Sequence, residues 1–190
     1  MNEGQKHTRD SQIKEIKDAV RTYPDFPKKG IIFRDLMPVF LQPELFRCMI
    51  AILAADAKQA VPDVTAVVGI EARGFILGPP LALALNVPFV PARKAGKLPG
   101  NVATVEYDLE YGKDKLQVQM DNFLKGAKIV VIDDLLATGG TMKATCDLMK
   151  SVGATVSLCM VVVELEGLSG RTSLLDTSLY SMLKFPAFSP

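Results

Sequence analysis

The sequence predicts a single α/β domain in which helices flank a central, mostly parallel sheet. Its 190 residues fit one domain of ordinary size, and a hydrophobic content of 48% is enough to build a substantial core. From about residue 43 onward, continuous apolar strands alternate with helical patterns, which is typical of a parallel sheet buried on both faces. We find no internal repeat and no low-complexity tract, so one domain over residues 1–190 is expected.

Two predicted elements precede the sheet. Apolar residues Ile13, Ile16 and Val20 recur at helical spacing and predict a short amphipathic helix. The segment that follows, YPDFPKKGIIFRDLMPVF, is punctuated by prolines and Gly30 and should be irregular or form short strands.

The elements of the sheet follow in chain order. A helix should begin near Pro43, because a proline in the first helical turn loses no hydrogen bond. After it we predict the strand VTAVVGI, the helix FILGPPLALALN, the strands PFVPAR and KIVVID, the helix TMKATCDLMKSVGA and the strand VSLCMVVVEL. Between Gly96 and Gly112 lies a polar segment bounded by glycines, which we expect to be a mobile flap that could hold two antiparallel strands.

Composition and charge argue against several classes of function. The formal charge of +1 gives the chain no field that would recruit nucleic acid or membranes, so a bound anion must meet local positive groups. The only histidine, His7, lies in a polar tail, which argues against Ser-His-Asp, Cys-His and His-ligated zinc chemistry. Cys48, Cys146 and Cys159 lack metal-ligand spacing and are interpreted as reduced, buried thiols. The tail has no apolar core and no apolar run could span a bilayer, so we expect no signal peptide and a cytoplasmic location.

The motif KIVVIDDLLATGGTMKA places two carboxylates beside a glycine-rich turn. In an open parallel sheet the ligand crevice lies beyond the carboxyl ends of the strands, where Asp133 and Asp134 fall. The turn at residues 138–141 opens a helix, so its amides and two threonine hydroxyls can bind an anion such as phosphate. No lysine follows the glycines, so the turn is not a Walker A loop, and it also lacks the dinucleotide pattern G-x-G-x-x-G.

The two carboxylates would repel a phosphate in that turn, so they should face hydroxyl donors or a cation. A sugar phosphate meets both demands. The alternative is a solvated acidic strand end that caps a helix.

Positive side chains are expected at the same edge of the sheet. The stretch GIEARGF follows a buried strand and presents Arg73 at the crevice, where a guanidinium can grip a pyrophosphate; a simple helix-capping turn is the alternative. Arg93, Lys94 and Lys97 follow the next strand, and a charge run of this kind is, by itself, more often a solvated face.

The stretch VVIDDLLATGGT resembles the 5-phosphoribosyl 1-pyrophosphate (PRPP) signature of the type I phosphoribosyltransferases. Three further stretches, FPKKGIIFRD, RKAGKLPG and LEYGK, resemble the adenine phosphoribosyltransferases within that family. The resemblance extends from about Ile13 to the last strands. It implies the type I phosphoribosyltransferase fold, with a small N-terminal hood at about residues 22–42 and a flexible flap at about residues 96–117.

The resemblance also implies roles for individual residues in binding the donor. Asp133 and Asp134 would hold the ribose 2′ and 3′ hydroxyls. The 5′-phosphate would be held by Ala137, Thr138, Gly139, Gly140 and Thr141, and the pyrophosphate by Arg73, Arg93, Lys94 and Lys97. Some relatives carry Asp-Ser in place of Glu71-Ala72, and relatives have a cis peptide bond here, so we expect a cis or otherwise strained peptide.

For the base and the chemistry, the resemblance implies a second set of residues. Glu110 would be the acid/base of the flap, with Tyr107 and Tyr111 as lid residues, although alternation alone would make these tyrosines strand residues that pack on the sheet. The main chain of Ile32 and Arg34 would read adenine, with Phe33 stacked on the ring and Leu135 opposite. By β-propensity alone, residues 31–33 could instead be an edge strand of the core.

The expected function is therefore purine salvage, in which adenine and PRPP give AMP and pyrophosphate. Mg²⁺ would be carried mainly on the pyrophosphate, with no metal-binding residues assigned to the protein. A homodimer is implied by the resemblance, and neither nucleic acid nor membrane is expected as a partner. The alternatives are a transferase for another purine base, such as hypoxanthine or guanine, and a non-catalytic regulator that binds the same ligand.

Overall fold

Helices and strands alternate along most of the chain. The structure, a computed structural model, describes residues 3–108, 112–174 and 176–188. Its helices are α1 (Glu3–Ala19), α2 (Met37–Phe40), α3 (Pro43–Ala60), α4 (Gly74–Leu85) and α5 (Gly140–Ser151). Its strands are β1 (Arg21–Pro24), β2 (Ile32–Asp35), β3 (Ala66–Ile70), β4 (Phe89–Lys94), β5 (Val102–Asp108), β6 (Lys113–Gln119), β7 (Lys128–Leu136), β8 (Thr155–Glu166) and β9 (Leu179–Pro186).

Seven strands form the central sheet in the order β5-β6-β4-β3-β7-β8-β9. Neighbouring strands in the run β4-β3-β7-β8-β9 are parallel, whereas β6 runs antiparallel to both β4 and β5. Alternate residues of the central strands enter two separate cores, one shared with α3 and α4 and the other with α5. Helices therefore cover both faces, and the predicted α/β class with a mostly parallel sheet is confirmed.

The predicted elements of the sheet are present with small shifts at their ends. The helix predicted near Pro43 begins there, with the proline in its first turn. The strand predicted as KIVVID continues to Leu136, because Leu135 and Leu136 pair with Val163 and Glu164 of β8. The first helix, predicted to be short, extends back to Glu3. Strand β9 was not among the predicted elements, since its polar and apolar residues follow neither a continuous nor a strictly alternating pattern.

Two antiparallel ribbons stand beside the parallel part of the sheet. The segment predicted as the hood contains the β1–β2 ribbon and α2, and its Phe26–Pro27 peptide bond is cis. The segment predicted as the flap contains β5 and most of β6, which pair antiparallel. Only β5 lies within the range bounded by Gly96 and Gly112 where both strands were expected, because β6 begins at Lys113. Strand β6 joins the flap to the main sheet through β4, so the flap begins where the predicted pyrophosphate-binding cations lie.

The thiols of Cys146 and Cys159 are buried side by side, with their sulfur atoms 3.4 Å apart. Cys48 is only half-buried, which corrects the expectation that all three thiols are buried. No helix in the described ranges is both long enough and apolar enough to cross a membrane.

Candidate active site

The acidic pair lies on β7, a central strand flanked by β3 and β8. Asp134 is 5% exposed and Asp133 is half-buried, and Asp133 accepts a hydrogen bond of 2.8 Å from the main-chain N–H of Asp134. Burial, followed by repulsion from the neighbouring Asp134 carboxylate, raises the pKa of Asp133 well above its usual value. Two adjacent carboxylates in this setting need hydrogen-bond donors or positive charge from a partner.

The loop at residues 137–141, which we call the phosphate loop, connects β7 to α5. A cavity of about 130 Å³ opens against it. The residues that line this cavity are Asp133, Leu135, Leu136, Ala137, Thr138, Gly139, Gly140, Thr141 and Met142. All five residues predicted to hold a phosphate thus meet one cavity, at the N-terminus of a helix of 12 residues, where free amides favour an anion.

The phosphate loop is shaped by a glycine and braced by the segment before β9. Gly139 has φ +83°, and a Cβ added there would meet the carbonyl oxygen of Gly170 at 2.6 Å. Ser173 donates a hydrogen bond of 2.9 Å to the carbonyl oxygen of Thr138. Only glycine therefore allows the loop to approach this segment so closely while keeping a left-handed backbone.

Arg73 connects three parts of the candidate site. It lies between β3 and α4, and its Nε donates to the Asp134 carboxylate of β7. Its guanidinium carbon also lies 5.7 Å from the ring centroid of Phe33 in the β1–β2 ribbon. A Cβ on the next residue, Gly74, would meet the Ile132 carbonyl oxygen at 2.8 Å, so glycine permits this close approach of the loop to β7. Residues that were predicted to bind the pyrophosphate, the ribose and the base are brought together here.

The cations predicted to bind pyrophosphate gather around Glu71. Lys97 Nζ lies 2.6 Å from the Glu71 carboxylate, and Arg93 donates from Nε and Nη2 at 3.3 Å each. The main-chain N–H of Lys94 adds a fourth hydrogen bond of 3.1 Å. Burial alone would raise the pKa of Glu71, but the hydrogen bonds from Lys97, Arg93 and Lys94 outweigh it and hold that pKa at about 2. The Glu71–Ala72 peptide bond is cis, as the resemblance implied.

Lys94 and Tyr107 connect these cations to the flap. The Lys94 ammonium lies 3.0 Å from the Asp114 carboxylate, and Asp114 is paired in register with Tyr107 on β5. Tyr107 and Gly140 of the phosphate loop line the same cavity, and burial raises the pKa of the Tyr107 phenol. Tyr107 is therefore at the site, whereas Glu110 and Tyr111 lie outside the described residues.

The main chain of β2 in the hood faces away from β1 at Ile32 and Arg34, the two positions predicted to read adenine. In an antiparallel pair, residues that exchange two hydrogen bonds alternate with residues that exchange none. Ile32 is opposite Pro24, which has no N–H, so the hydrogen-bonded pair must be Tyr23–Phe33. The N–H and C=O groups of Ile32 and Arg34 therefore point toward the other edge of the ribbon.

The side chains of the hood add to this arrangement. The Phe33 ring meets Phe26 edge to face at 5.2 Å. Arg34 turns its side chain back onto β9, where its Nη2 donates to the Pro186 carbonyl oxygen at 3.3 Å and its guanidinium lies over the Phe185 ring. Hence Arg34 has only its main chain to offer to the site. Leu135 is half-buried on β7, next to the acidic pair.

Known proteins are similar to this chain in sequence and in fold. A family model described as the phosphoribosyl transferase domain matches residues 47–179. An adenine phosphoribosyltransferase from Synechococcus is 47% identical over 90% of this chain and 99% of its own length. The chain belongs to the adenine phosphoribosyltransferase family. A Caenorhabditis elegans member is 44% identical over 90% of this chain and 92% of its own length.

Solved structures of the adenine phosphoribosyltransferase family have the same fold. The Saccharomyces cerevisiae enzyme, crystallised with an imino-altritol bisphosphate and adenine, superposes with a TM-score of 0.88 at 39% identity, over 92% of this chain and 99% of that one. The Trypanosoma brucei enzyme, crystallised with AMP, pyrophosphate and ribose-5-phosphate, superposes with a TM-score of 0.81 at 28% identity, over 94% of this chain and 81% of that one. The type I phosphoribosyltransferase fold is confirmed.

Sequence reasoning missed three contributors to this candidate site. The carboxylate of Glu71 had no assigned partner, and Gly170 and Ser173 were not singled out at all. Each acts on residues at least 22 positions away, so no local pattern could have indicated them.

A larger cavity lies elsewhere, between α1 and α3. It measures about 570 Å³ and is shallow, and its lining contains none of the residues predicted for the site. The crevice at the carboxyl ends of the strands remains the candidate active site.

Proposed function

We propose that this chain transfers the 5-phosphoribosyl group of PRPP to adenine in purine salvage, forming AMP and pyrophosphate. One observation carries the proposal: Arg73, from the loop after β3, pairs with Asp134 beside the phosphate loop and lies near Phe33 of the hood. Groups suited to pyrophosphate, ribose, phosphate and base are thereby held at one crevice.

The donor would lie along β7 and the phosphate loop. A 5′-phosphate would accept hydrogen bonds from the amides of residues 137–141 and from the hydroxyls of Thr138 and Thr141. The ribose 2′ and 3′ hydroxyls would donate to Asp133 and Asp134. These donors would compensate the burial and the repulsion from Asp134 that together raise the pKa of Asp133.

The pyrophosphate would lie between Arg73 and the cluster of Arg93, Lys94 and Lys97. Guanidinium groups suit phosphate oxygens because they present paired, fixed donors. Four positive side chains also compensate the charge that develops on the leaving group.

Mg²⁺ is expected to enter with the donor. The described residues contain no group of three or more His, Cys, Asp or Glu side chains placed to hold a metal. Mg²⁺ keeps several waters and prefers oxygen ligands, so the pyrophosphate and ribose oxygens would supply most of its coordination, and the ion would neutralise phosphate charge.

Adenine would lie between Phe33 and Leu135, against the open edge of the β1–β2 ribbon. A main-chain carbonyl accepts from the exocyclic amine of adenine, and a main-chain amide donates to its ring nitrogen. Hypoxanthine and guanine present the reverse pattern, which fixed backbone dipoles cannot match. The orientation of the Ile32 and Arg34 main chain supports this assignment.

In the reaction, the bond between C1 of the ribose and pyrophosphate breaks and a bond from C1 to N9 of adenine forms. The sugar passes through a cationic, oxocarbenium-like state, and N9 loses a proton. Glu110 of the flap is the proposed acceptor of that proton. Closure of the flap with Tyr107 and Tyr111 would exclude water, which could otherwise attack the cation.

A labelled-base assay tests this function. Purified protein is incubated with PRPP, Mg²⁺ and labelled adenine, hypoxanthine or guanine, and nucleotide and pyrophosphate are quantified. We expect AMP and pyrophosphate in equal amounts. Nucleotide formed only from another base would favour the alternative substrate, and PRPP binding without turnover of any base would favour a regulator. The homodimer and the cytoplasmic location stay predictions, the former testable by analytical ultracentrifugation.

A further inference from the structure

The Glu71 carboxylate lies beneath the cations predicted to bind pyrophosphate. The main-chain N–H of Glu71 donates to the Ala92 carbonyl oxygen at 3.0 Å, which fixes the backbone of this residue against β4. From there both carboxylate oxygens accept hydrogen bonds, from Arg93, from Lys97 and from the main-chain N–H of Lys94. One carboxylate thus ties together the end of β4 and the loop that follows it.

Burial differs sharply between the carboxylate and its partners. The Glu71 side chain is 12% exposed, whereas those of Arg93 and Lys97 are 32% and 46% exposed. The cations therefore lie between Glu71 and solvent. An anion that arrives from the crevice meets the cations first and has no need to displace the carboxylate.

The two cations also keep donors for a ligand. Arg93 has five N–H groups. It donates from Nε and Nη2 to Glu71 and from Nη1 to the Lys97 carbonyl oxygen. Lys97 has three N–H groups, and within the described ranges its ammonium donates one hydrogen bond, to Glu71. Glu71 thus fixes where these side chains lie without using all of their donors.

We propose that Glu71 is a positioning residue for the pyrophosphate subsite: its carboxylate holds the side chains of Arg93 and Lys97 in place from the buried side. The inference rests on the proposed function, because that function supplies the pyrophosphate. Glu71 does not touch the ligand. Its contribution is that two long, flexible side chains are ordered before the ligand arrives, so that less conformational entropy is lost on binding.

Competition between Glu71 and pyrophosphate for the same cations would have the opposite effect on binding. If Glu71 were only an internal anion that competes with pyrophosphate for the same cations, then removal of its charge would strengthen pyrophosphate binding. The sign of the effect of Glu71→Gln therefore decides between positioning and competition.

The test uses the full chain and three variants: Glu71→Gln, Lys97→Gln and the double variant. Calorimetry measures Kd for magnesium pyrophosphate and, separately, for ribose 5-phosphate, which reaches only the phosphate loop and the acidic pair. For Glu71→Gln we expect pyrophosphate to bind at least about tenfold more weakly and the KM for PRPP to rise in parallel, with the Kd for ribose 5-phosphate changed less than about threefold. In the Lys97→Gln background, Glu71→Gln should raise the Kd for pyrophosphate by a clearly smaller factor, because one of the two side chains that Glu71 positions is already gone.

Asp56→Asn is the matched control. The Asp56 side chain is also 12% exposed and pairs with an arginine, Arg9, at 2.6 Å, but it lies on α3 away from the crevice. We expect all constants of this variant to stay near wild type. If Glu71→Gln fails to fold, Glu71→Asp keeps the charge but shortens its reach, and the same selective loss is expected.

Unchanged or tighter pyrophosphate binding in a folded Glu71 variant would overturn the inference. An equal loss of ribose 5-phosphate binding would also overturn it, because the effect would then be general. Wild-type protein that bound no pyrophosphate would instead remove the proposed function, and this inference with it.

Discussion

Arg73 and Asp134, 61 positions apart in the sequence, form an ion pair at the carboxyl ends of β3 and β7. The carboxylate is buried, while the guanidinium is 40% exposed, and the Nε–H used in this pair is one of its five N–H donors. A group assigned to pyrophosphate and a group assigned to ribose are therefore fixed relative to each other before any substrate binds. Such preorganisation matters because the donor must be gripped on both sides of the bond that breaks.

Replacement of both Asp133 and Asp134 by asparagine should abolish turnover. The pair is assigned to the ribose hydroxyls. An asparagine amide cannot replace a carboxylate there, because it lacks the two charged oxygens that accept the hydrogen bonds of those hydroxyls. We expect kcat/KM for PRPP to fall by more than about 10²-fold, measured by AMP formation. Asp63→Asn, which removes an exposed carboxylate paired with Lys128, should change little. A double variant with near-normal activity would remove the ribose assignment.

Gly139→Ala should destroy the phosphate loop, and Gly126→Ala is its control. Both glycines have positive φ, +83° and +79°, so alanine costs each about 1 kcal/mol or somewhat more in backbone strain. Only at Gly139 would the new Cβ also collide with a carbonyl oxygen, at 2.6 Å, since Gly126 has open space around it. Calorimetry should show that ribose 5-phosphate binding is lost in Gly139→Ala and kept in Gly126→Ala. Equal behaviour of the two variants would mean that close approach to Gly170 is unimportant.

Glu110→Gln should slow the chemistry more than it weakens donor binding. The expected decrease in kcat is about 10² to 10⁴, the usual scale for a lost general acid or base. Glu106→Gln is the control and should keep kcat, because Glu106 is an exposed residue of β5 that pairs with Lys113. If instead Glu110→Gln weakened PRPP binding and spared kcat, the flap would be a binding lid without a chemical role.

The Glu71 ion-pair cluster should make stability depend on pH in acid. The pKa of Glu71 is about 2 in the folded chain against a usual 4.5, so its contribution is fully present above pH 4.5 and is lost as the pH falls toward 2. The difference in free energy of unfolding between wild type and Glu71→Gln should narrow by about 1 kcal/mol between pH 7 and pH 3.5, measured by urea denaturation. A difference that stayed constant or grew over this range would contradict the depressed pKa.

The parts of the site that could be predicted from the sequence are those encoded within a few consecutive residues. The apolar run before Asp133, the glycines of the phosphate loop and Arg73 after a buried strand each have a local pattern, and the parallel sheet brings their ends together. The resemblance to the family added roles that no spacing could supply, such as that of Glu110.

The remainder depends on contacts between distant segments. The four hydrogen bonds of Glu71 arise because β3 and β4 are neighbours in the sheet, and the brace on Thr138 comes from Ser173, 35 positions later. Strand β7 extends past its carboxylates because β8 offers partners there. Pairing of this kind is decided by tertiary structure, which local propensity does not encode.

Phe33→Ala should weaken adenine binding and leave the choice of base intact. Loss of stacking on the ring should cost about 1–3 kcal/mol, which raises the KM for adenine. The main-chain groups of Ile32 and Arg34 remain, so the preference over hypoxanthine should persist. Phe123→Ala, which removes an exposed ring near β7, is the control. Selectivity that collapsed together with affinity would show that side-chain shape reads the base.

The most direct measurement of the central claim is the ratio of kcat/KM for adenine to that for hypoxanthine, with saturating PRPP and Mg²⁺ and wild-type protein. A site that leaves buried polar main-chain groups unpaired with the wrong base can discriminate by roughly 10⁴ or more. We predict efficient AMP formation and a ratio on that order. A ratio near one, or AMP formation no faster than in the Asp133→Asn, Asp134→Asn variant, would contradict the claim that this crevice is an adenine phosphoribosyltransferase site.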